Sequence, residues 1–118
     1  MNKKEYYDLV SNTEINKTRE QEVTGLYKCE FDQLLLKVIS AADEVDFFDE
    51  ERRALSYKEI LSPEELLGID AINEGIVPVI DAYDCTFIVY LTKESKWAKF
   101  STVDKTIYKK RNALNTVL

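Results

Sequence analysis

The amino-acid sequence predicts a single α+β domain, in which a meander of four to five antiparallel strands packs against one main helix from the first half of the chain. The 118 residues suit one domain, since domains typically comprise about 100–150 residues. Hydrophobic residues make up 45% of the chain and charged residues 32%, a mixture that supports a packed core. The strongest helical periodicity lies in the first half of the chain, and short β-branched and aromatic segments lie in the second half.

One strong helical pattern stands out in the first half. Residues 3–11 predict a short helix, and the polar stretch 12–24 has no clear period before Gly25, which is expected to break whatever precedes it. From residue 28 to residue 42, apolar side chains recur at helical spacing. The stripe consists of Phe31, Leu34, Leu35, Val38, Ile39 and Ala42. This pattern predicts the main helix that packs on the sheet.

Shorter elements are predicted in the middle of the chain. Residues 53–56 suit a short strand, and residues 57–61 suit a helical turn that begins after the cap-like Ser56. The tetrapeptide 62–65, Ser-Pro-Glu-Glu, predicts the start of another helix: the serine caps, the proline suits the first helical position, and the second glutamate closes a capping box. Gly68 is a suitable stop for that helix.

The second half of the chain predicts the sheet. Its β-branched and aromatic segments are 76–80, 86–91, 97–100 and 107–109. Pro78 cannot donate a ladder hydrogen bond, so the first of these strands is expected at a sheet edge or at a bulge. The central strand is apolar on both faces, so helices are expected on one face and another element on the other. Asn112 is expected to cap a last short helix.

Charge is distributed unevenly along the chain. The net charge is −6, but residues 1–92 carry 9 Lys/Arg against 20 Asp/Glu, whereas residues 93–118 carry 7 against 2. An acidic body repels the phosphates of nucleic acids and favours basic partners. We therefore expect no nucleic-acid partner, although the basic tail keeps that alternative open.

Several classes of protein are disfavoured by what the sequence lacks. The longest apolar runs, 34–36 and 76–80, are far shorter than the roughly 20 residues of a membrane helix, and no secretory signal is visible, so we expect cytoplasmic residence without membrane contact. The chain contains no histidine, which excludes Ser/His/Asp and Cys/His catalysis and a histidine-dependent zinc site. Cys29 and Cys85 are expected to be buried free thiols rather than a disulfide.

The acidic stretch 43–51 is the first candidate site. Its carboxylates Asp46, Asp49, Glu50 and Glu51 suit a face that meets a basic protein, and Phe48 suits an apolar anchor at the centre of such an interface. The alternative is a solvated acidic loop whose phenylalanine rings lie in the core.

The segment between the first two long strands is the second candidate site. Asp81 and Asp84 flank it, and their carboxylates suit either a Mg²⁺ or Ca²⁺ pair or, more simply, hydrogen bonds to backbone amides of a turn. Tyr83, at the tip, suits a partner contact. Trp97 is expected in the core rather than at an interface.

The second half of the chain resembles the SUKH superfamily. The similar features are the apolar-Pro-apolar strand 76–81, a strand that ends in Tyr90, and a late tryptophan within 96–100. Upstream, residues 53–61 resemble the family's Leu-Ser, then Glu-Ile segment. The resemblance covers about residues 26–118. Two departures stand out: Ala-Ala-Asp-Glu at 41–44 replaces the Asn-Gly pair of many members, and the turn 81–84 lacks the glycine that members carry there.

This resemblance implies a protein-binding module rather than an enzyme, because the bacterial members are mostly immunity proteins that neutralise toxins, often nucleases, and the fungal relatives act in cell-wall signalling. We expect no catalytic residue, no cofactor and no metal, a basic toxin domain as partner, and a monomer or weak homodimer. Two alternatives remain open. One is a scaffold or regulatory subunit that binds a cellular enzyme, and the other is a metal-dependent hydrolase that uses Asp81 and Asp84.

Overall fold

A computed structural model describes residues 1–46, Asp49 and 52–118, and this part of the chain forms the predicted α+β fold. Six α-helices of the described residues are α1 (Lys3–Ser11), α2 (Lys17–Tyr27), α3 (Gln33–Ala41), α4 (Tyr57–Ile60), α5 (Pro63–Leu67) and α6 (Ala71–Glu74). The strands are β1 (Arg53–Ala54), β2 (Ile76–Asp81), β3 (Thr86–Leu91), β4 (Lys96–Ser101) and β5 (Thr106–Arg111). A 3₁₀ turn, Leu114–Thr116, follows the last strand.

The five strands form an antiparallel sheet in sequence order. Short turns join β2, β3, β4 and β5 in succession, whereas α4, α5 and α6 lie in the connection between β1 and β2. Side chains of β3 alternate between two apolar layers. Ile88 and Tyr90 pack in the larger core with α1, α2 and α3, whereas Val89 and Leu91 pack in a smaller core with residues of α5 and α6. Both faces are covered, as predicted, but helices contribute to both cores, whereas the sequence predicts helices on one face only.

Trp97 and Pro78 also lie where the sequence predicts. The Trp97 side chain is 2% exposed and contacts Tyr90 edge to face, with ring centroids 4.9 Å apart. Pro78 lies at a bulge, since the pairing with β3 shifts between Pro78 and Ile80. β1 pairs with β2 only at Ile80 and Asp81, so no ladder bond from Pro78 is required.

Several sequence-based boundaries are wrong. Gly25 does not end a helix but lies within α2, which Asn16 begins by accepting the Arg19 amide. α3 starts at Gln33 rather than Lys28, because the Asp32 carboxylate accepts the amides of Leu34 and Leu35 and thereby fixes the N-terminus.

The shorter elements differ in detail from the predictions. Ser56 caps α4 in a full capping box with Glu59, and Gly68 ends α5 in the left-handed conformation, as predicted. Ser62 makes no side-chain cap, and α5 begins on its N-terminal proline alone. The last turn begins after Ala113, since the Asn112 side chain accepts a hydrogen bond from Lys96 instead of capping. Helix α6 was not predicted, because a helix of four residues is too short to show a helical periodicity of apolar residues in the sequence.

The hydroxyl of Tyr27 is buried with no hydrogen-bond partner among the described residues. The ring packs edge to face on Phe31 at 5.3 Å, so the aromatic contact is independent of the oxygen. We expect Tyr27→Phe to raise the free energy of unfolding by about 1 kcal/mol, since an unsatisfied buried hydroxyl costs about 1–3 kcal/mol and phenylalanine keeps the ring. Urea denaturation with an unchanged m-value checks this, and a loss of stability would reveal an unrecognised partner for the oxygen.

The described helices include none with the length and apolar character required to cross a membrane.

Candidate functional site

The described residues of the two segments that the sequence singles out lie at one edge of the sheet. Arg53 on β1 pairs in register with Asp81 on β2, so Arg53 lies beside the start of the turn that follows β2. Next to it, Arg52 lines a shallow cavity of about 150 Å³ together with Tyr83 and Asp84. We call residues 43–46, Asp49, 52–54 and 81–86 the β1 edge. Three members of the predicted acidic site, Phe48, Glu50 and Glu51, lie outside the described residues.

Half of the described carboxylates at the β1 edge are paired. The Asp49 carboxylate lies 2.9 Å from the Arg52 guanidinium. The carboxylate of Asp81 lies 3.6 Å from Arg53. Asp43 lies 3.7 Å from Arg19 and also accepts the Tyr57 amide. These pairs lower the negative charge that the sequence alone suggests for this surface.

The remaining carboxylates of the β1 edge are exposed to solvent. They belong to Glu44, Asp46 and Asp84, and no cation of the described chain lies within ion-pair distance of them. Asp46 lines a second shallow cavity, of about 130 Å³, beside Arg53. The β1 edge therefore presents unneutralised acids at both ends, with paired charges between them.

The turn after β2 holds three successive residues in the left-handed region. The φ angles are +58° at Tyr83, +47° at Asp84 and +61° at Cys85, and none of the three is glycine. Left-handed backbone costs an L-residue about 1–2 kcal/mol, so surrounding bonds must hold the turn. The Asp81 carboxylate accepts the Tyr83 amide at 2.8 Å, and the Cys85 carbonyl accepts the Thr102 amide at 2.8 Å.

This strained turn places Tyr83 outward with 39% of its surface exposed. Cys85 is also exposed, contrary to the expectation of a buried thiol, because it lies on the turn rather than within β3. Cys29 is partly buried, and both thiols are free. Strain of this kind concentrates at functional sites, where it fixes a side chain that the chain would otherwise place differently.

The role of Asp81 agrees with turn chemistry rather than with the metal alternative. One of its carboxylate oxygens accepts the Tyr83 amide, and the other lies beside the Arg53 guanidinium. Among the described residues, no group of three or more metal-ligating side chains is close enough to hold an ion.

A bidentate ion pair anchors β1 to α4 behind this edge. The two guanidinium nitrogens of Arg53 donate to the two carboxylate oxygens of Glu59 at 2.8 and 2.9 Å. The hydrogen bond from Arg53 is the largest influence on the pKa of Glu59, which falls from 4.5 to about 2, and further bonds from Ser56 act in the same direction. The same hydrogen bond raises the pKa of Arg53.

We expect this pair to make stability fall at acid pH. The pKa of Glu59 is depressed in the folded state, so its contribution is complete above about pH 4.5 and is lost as the pH falls toward 2. The matched variant is Glu59→Gln, which keeps an acceptor for the Ser56 amide but removes the charge. At pH 7 the variant should be about 1–2 kcal/mol less stable, a modest value because both groups are partly exposed. Urea titrations at several pH values should show this gap closing near pH 2, and a constant gap would contradict the assignment.

The largest cavity described lies away from the β1 edge, and sequence analysis missed it. It encloses about 460 Å³ between the start of α3 and the far end of the sheet. Aromatic rings of Tyr7, Phe31, Tyr90 and Trp97 and the acids Glu30 and Asp32 line it. We call it the aromatic groove. Its one sequence signal is the tripeptide Glu-Phe-Asp at 30–32, in which an apolar ring is flanked by two acids just before a helix.

Comparisons with family models, curated proteins and solved structures return no match to this chain.

Proposed function

We propose that this protein is a non-catalytic binding module, an immunity protein similar to those of the SUKH superfamily, which neutralises a basic toxin, such as a nuclease, through the β1 edge. The observation that carries the proposal is the exposed Tyr83, fixed on a strained turn beside the unpaired carboxylate of Asp84, with the unpaired carboxylate of Asp46 elsewhere on the same edge. An aromatic anchor surrounded by charge is the composition of an interface hot spot.

The location of the SUKH-like segments supports the same surface. Residues 53–61 comprise β1 and α4, and residues 76–100 comprise β2, β3 and β4. These elements border the β1 edge or form the sheet behind it. In the folded chain, the segments that resemble the SUKH superfamily therefore lie next to the residues that we propose contact the partner.

Charge complementarity gives this surface a physical route to inhibition. A nuclease must hold the phosphates of its substrate in a cationic groove. Carboxylates on a rigid edge compete for that groove and also accelerate encounter with the toxin, because opposite charges steer diffusion. An immunity protein benefits from fast association, since free toxin harms the producing cell.

The test is purification of the protein with the product of the gene encoded beside its own. We expect a one-to-one complex with a basic toxin whose association rate falls as salt increases from about 50 to 500 mM. Asp46→Asn should slow association about two- to fivefold at low salt, whereas Glu74→Gln, an exposed acid on α6 away from the β1 edge, should leave the rate unchanged.

Salt-insensitive association, or equal effects of the two substitutions, would remove the β1 edge from the mechanism. A stable complex with a cellular enzyme instead of a toxin would favour the regulatory-subunit alternative.

A further inference from the structure

We propose that the partner-binding surface extends beyond the β1 edge onto the β4–β5 turn, residues 102–105, so that one basic toxin contacts two turns at the same end of the sheet. The inference deepens the proposed function and rests on it. Its starting point is exposed apolar surface. The described chain exposes five large apolar residues, and three of them, Tyr83, Val103 and Tyr108, lie at this end. Single exposed apolar residues are ordinary, whereas a group of them marks an interface.

The two turns lie beside each other and are hydrogen-bonded together. Thr86, the first residue of β3, pairs with Ser101, the last residue of β4, so the turns 82–85 and 102–105 leave the sheet at the same end. The Cys85 carbonyl accepts the Thr102 amide at 2.8 Å and the hydroxyl of the same threonine at 3.1 Å. These bonds fix the position of one turn relative to the other.

Tyr108 connects the two turns across the sheet. Its side chain lines the cavity of about 150 Å³ together with Tyr83, and its hydroxyl lies 3.3 Å from the Thr86 hydroxyl, which holds the ring in place. Tyr108 is 40% exposed, Tyr83 39% and Val103 72%. Each residue therefore offers apolar surface, held on a fixed backbone, that a partner can bury.

Each turn carries an exposed acid directly after its apolar residue. Asp84 follows Tyr83, and Asp104 follows Val103. No cation of the described residues lies within ion-pair distance of either carboxylate. The basic run 109–111 lies toward the opposite end of β5. The two turns therefore repeat one chemical pattern, an apolar contact beside an unpaired negative charge.

The cations near these acids are already engaged or less exposed. Lys105, the cation of the β4–β5 turn, donates to the Leu67 carbonyl at 3.1 Å. The Arg52 side chain is 13% exposed and pairs with Asp49, and Lys99, which lines the same cavity, is half-buried. The unpaired charges at the two turns are therefore negative, and they select a cationic partner over an acidic one.

One partner is large enough to cover the β1 edge and both turns. Neighbouring strands lie about 4.8 Å apart, so β3 and β5 are about 10 Å apart and the five-stranded sheet is about 19 Å wide. A standard interface of about 800 Å² per partner is about 30 Å across. The β4–β5 turn therefore fits within the footprint of a toxin bound at the β1 edge.

The test is calorimetric titration with the purified toxin, the product of the neighbouring gene. Val103→Ser should raise Kd about five- to tenfold, because a hydroxyl replaces a buried apolar contact. The matched control is Leu9→Ser, at an exposed apolar residue of α1 outside this surface, which should leave Kd unchanged. Tyr108→Ala should raise Kd about tenfold or more. Because Val103 is 72% exposed, its serine variant should keep the original unfolding temperature.

The electrostatic part is tested by association kinetics. Asp104→Asn should slow association about two- to fivefold at low salt, and the difference should shrink at about 500 mM salt. Glu74→Gln, at an exposed acid at the opposite end of β2, should have no effect at either salt concentration.

The outcomes separate this inference from the proposed function. A complex that Tyr83→Ala weakens, but that the substitutions at 103, 104 and 108 leave unchanged, would overturn the extension and keep the β1 edge. Absence of any complex would overturn both. A dimer of the free protein in sedimentation experiments, abolished by Val103→Ser, would assign the apolar residues to a second copy of the chain and also overturn the inference.

Discussion

Replacement of Arg19 by alanine should lower the free energy of unfolding by about 3 kcal/mol, the largest loss we expect from a single charged side chain of this protein. One guanidinium nitrogen of Arg19 donates to the carbonyls of Ile39 and Ala42 at 2.8 and 2.9 Å. These carbonyls belong to the last turn of α3 and its C-cap, where helices leave acceptors without an internal partner. Removal of the guanidinium would take away the Arg19 donor from the Ala42 carbonyl and would leave the Ile39 carbonyl with only the 3.2 Å bond from the Ala42 amide, in a partly buried site.

Arg19 also connects α2 and α3 to α4. Its guanidinium carbon lies 4.3 Å from the centre of the Tyr57 ring, and the Tyr57 hydroxyl donates to Glu22 of α2 at 2.8 Å. The side chain of Arg19 is only 20% exposed, so its charge-assisted bonds are weakly screened. Since the chain leaves α3 at Asp43 toward the β1 edge, this contact also fixes where that edge begins.

Arg19→Lys is the matched control. Lysine keeps the charge, but its single ammonium nitrogen cannot at the same time donate to the two carbonyls, approach Asp43 and offer a planar group to the Tyr57 ring, so about half of the loss should remain. Urea denaturation of the three proteins measures the difference. A loss below about 1 kcal/mol for the alanine variant would mean that water replaces the guanidinium at the end of α3.

The contacts of Arg19 also show why part of the fold was predictable from the sequence and part was not. The strands and the faces of β3 follow from alternation of apolar residues within six positions, a local pattern. Helix α2 does not, because it buries only Val23 and Tyr27 on its inner side and is held by polar contacts with α3. Gly25 is tolerated there because a side chain at that position would meet nothing within 4 Å. A helix stabilised by distant hydrogen bonds leaves little periodic signal.

The candidate site was predictable in composition but not in charge. The sequence identifies a dense set of acids, and the structure brings Asp46 and Asp49 to the same edge as Asp81, Tyr83 and Asp84. Which of these acids are neutralised depends on the positions of Arg19, Arg52 and Arg53 in the folded chain. The aromatic groove was missed for a related reason: its residues come from four separate stretches that only the tertiary structure joins.

If the proposed toxin is the partner, Tyr83→Ala should weaken binding to it at least about 30-fold, the loss of roughly 2 kcal/mol that removal of an aromatic interface anchor produces. The stability of the free protein should change by less than about 0.5 kcal/mol, since the ring is exposed and alanine has the same difficulty as tyrosine in a left-handed position. Calorimetric titration with the toxin and urea denaturation of the free protein measure the two effects separately.

Tyr83→Gly distinguishes the ring from the backbone that presents it. Glycine also lacks the ring, so binding should fall as far as in the alanine variant, but it adopts φ of +58° without steric cost. The free protein should therefore be about 1 kcal/mol more stable than Tyr83→Ala, after allowance for the greater freedom of glycine in the unfolded chain. An alanine variant that binds like the original protein would exclude Tyr83 from the interface. A glycine variant no more stable than the alanine variant would mean that the turn holds no strain, and that presenting Tyr83 carries no backbone cost.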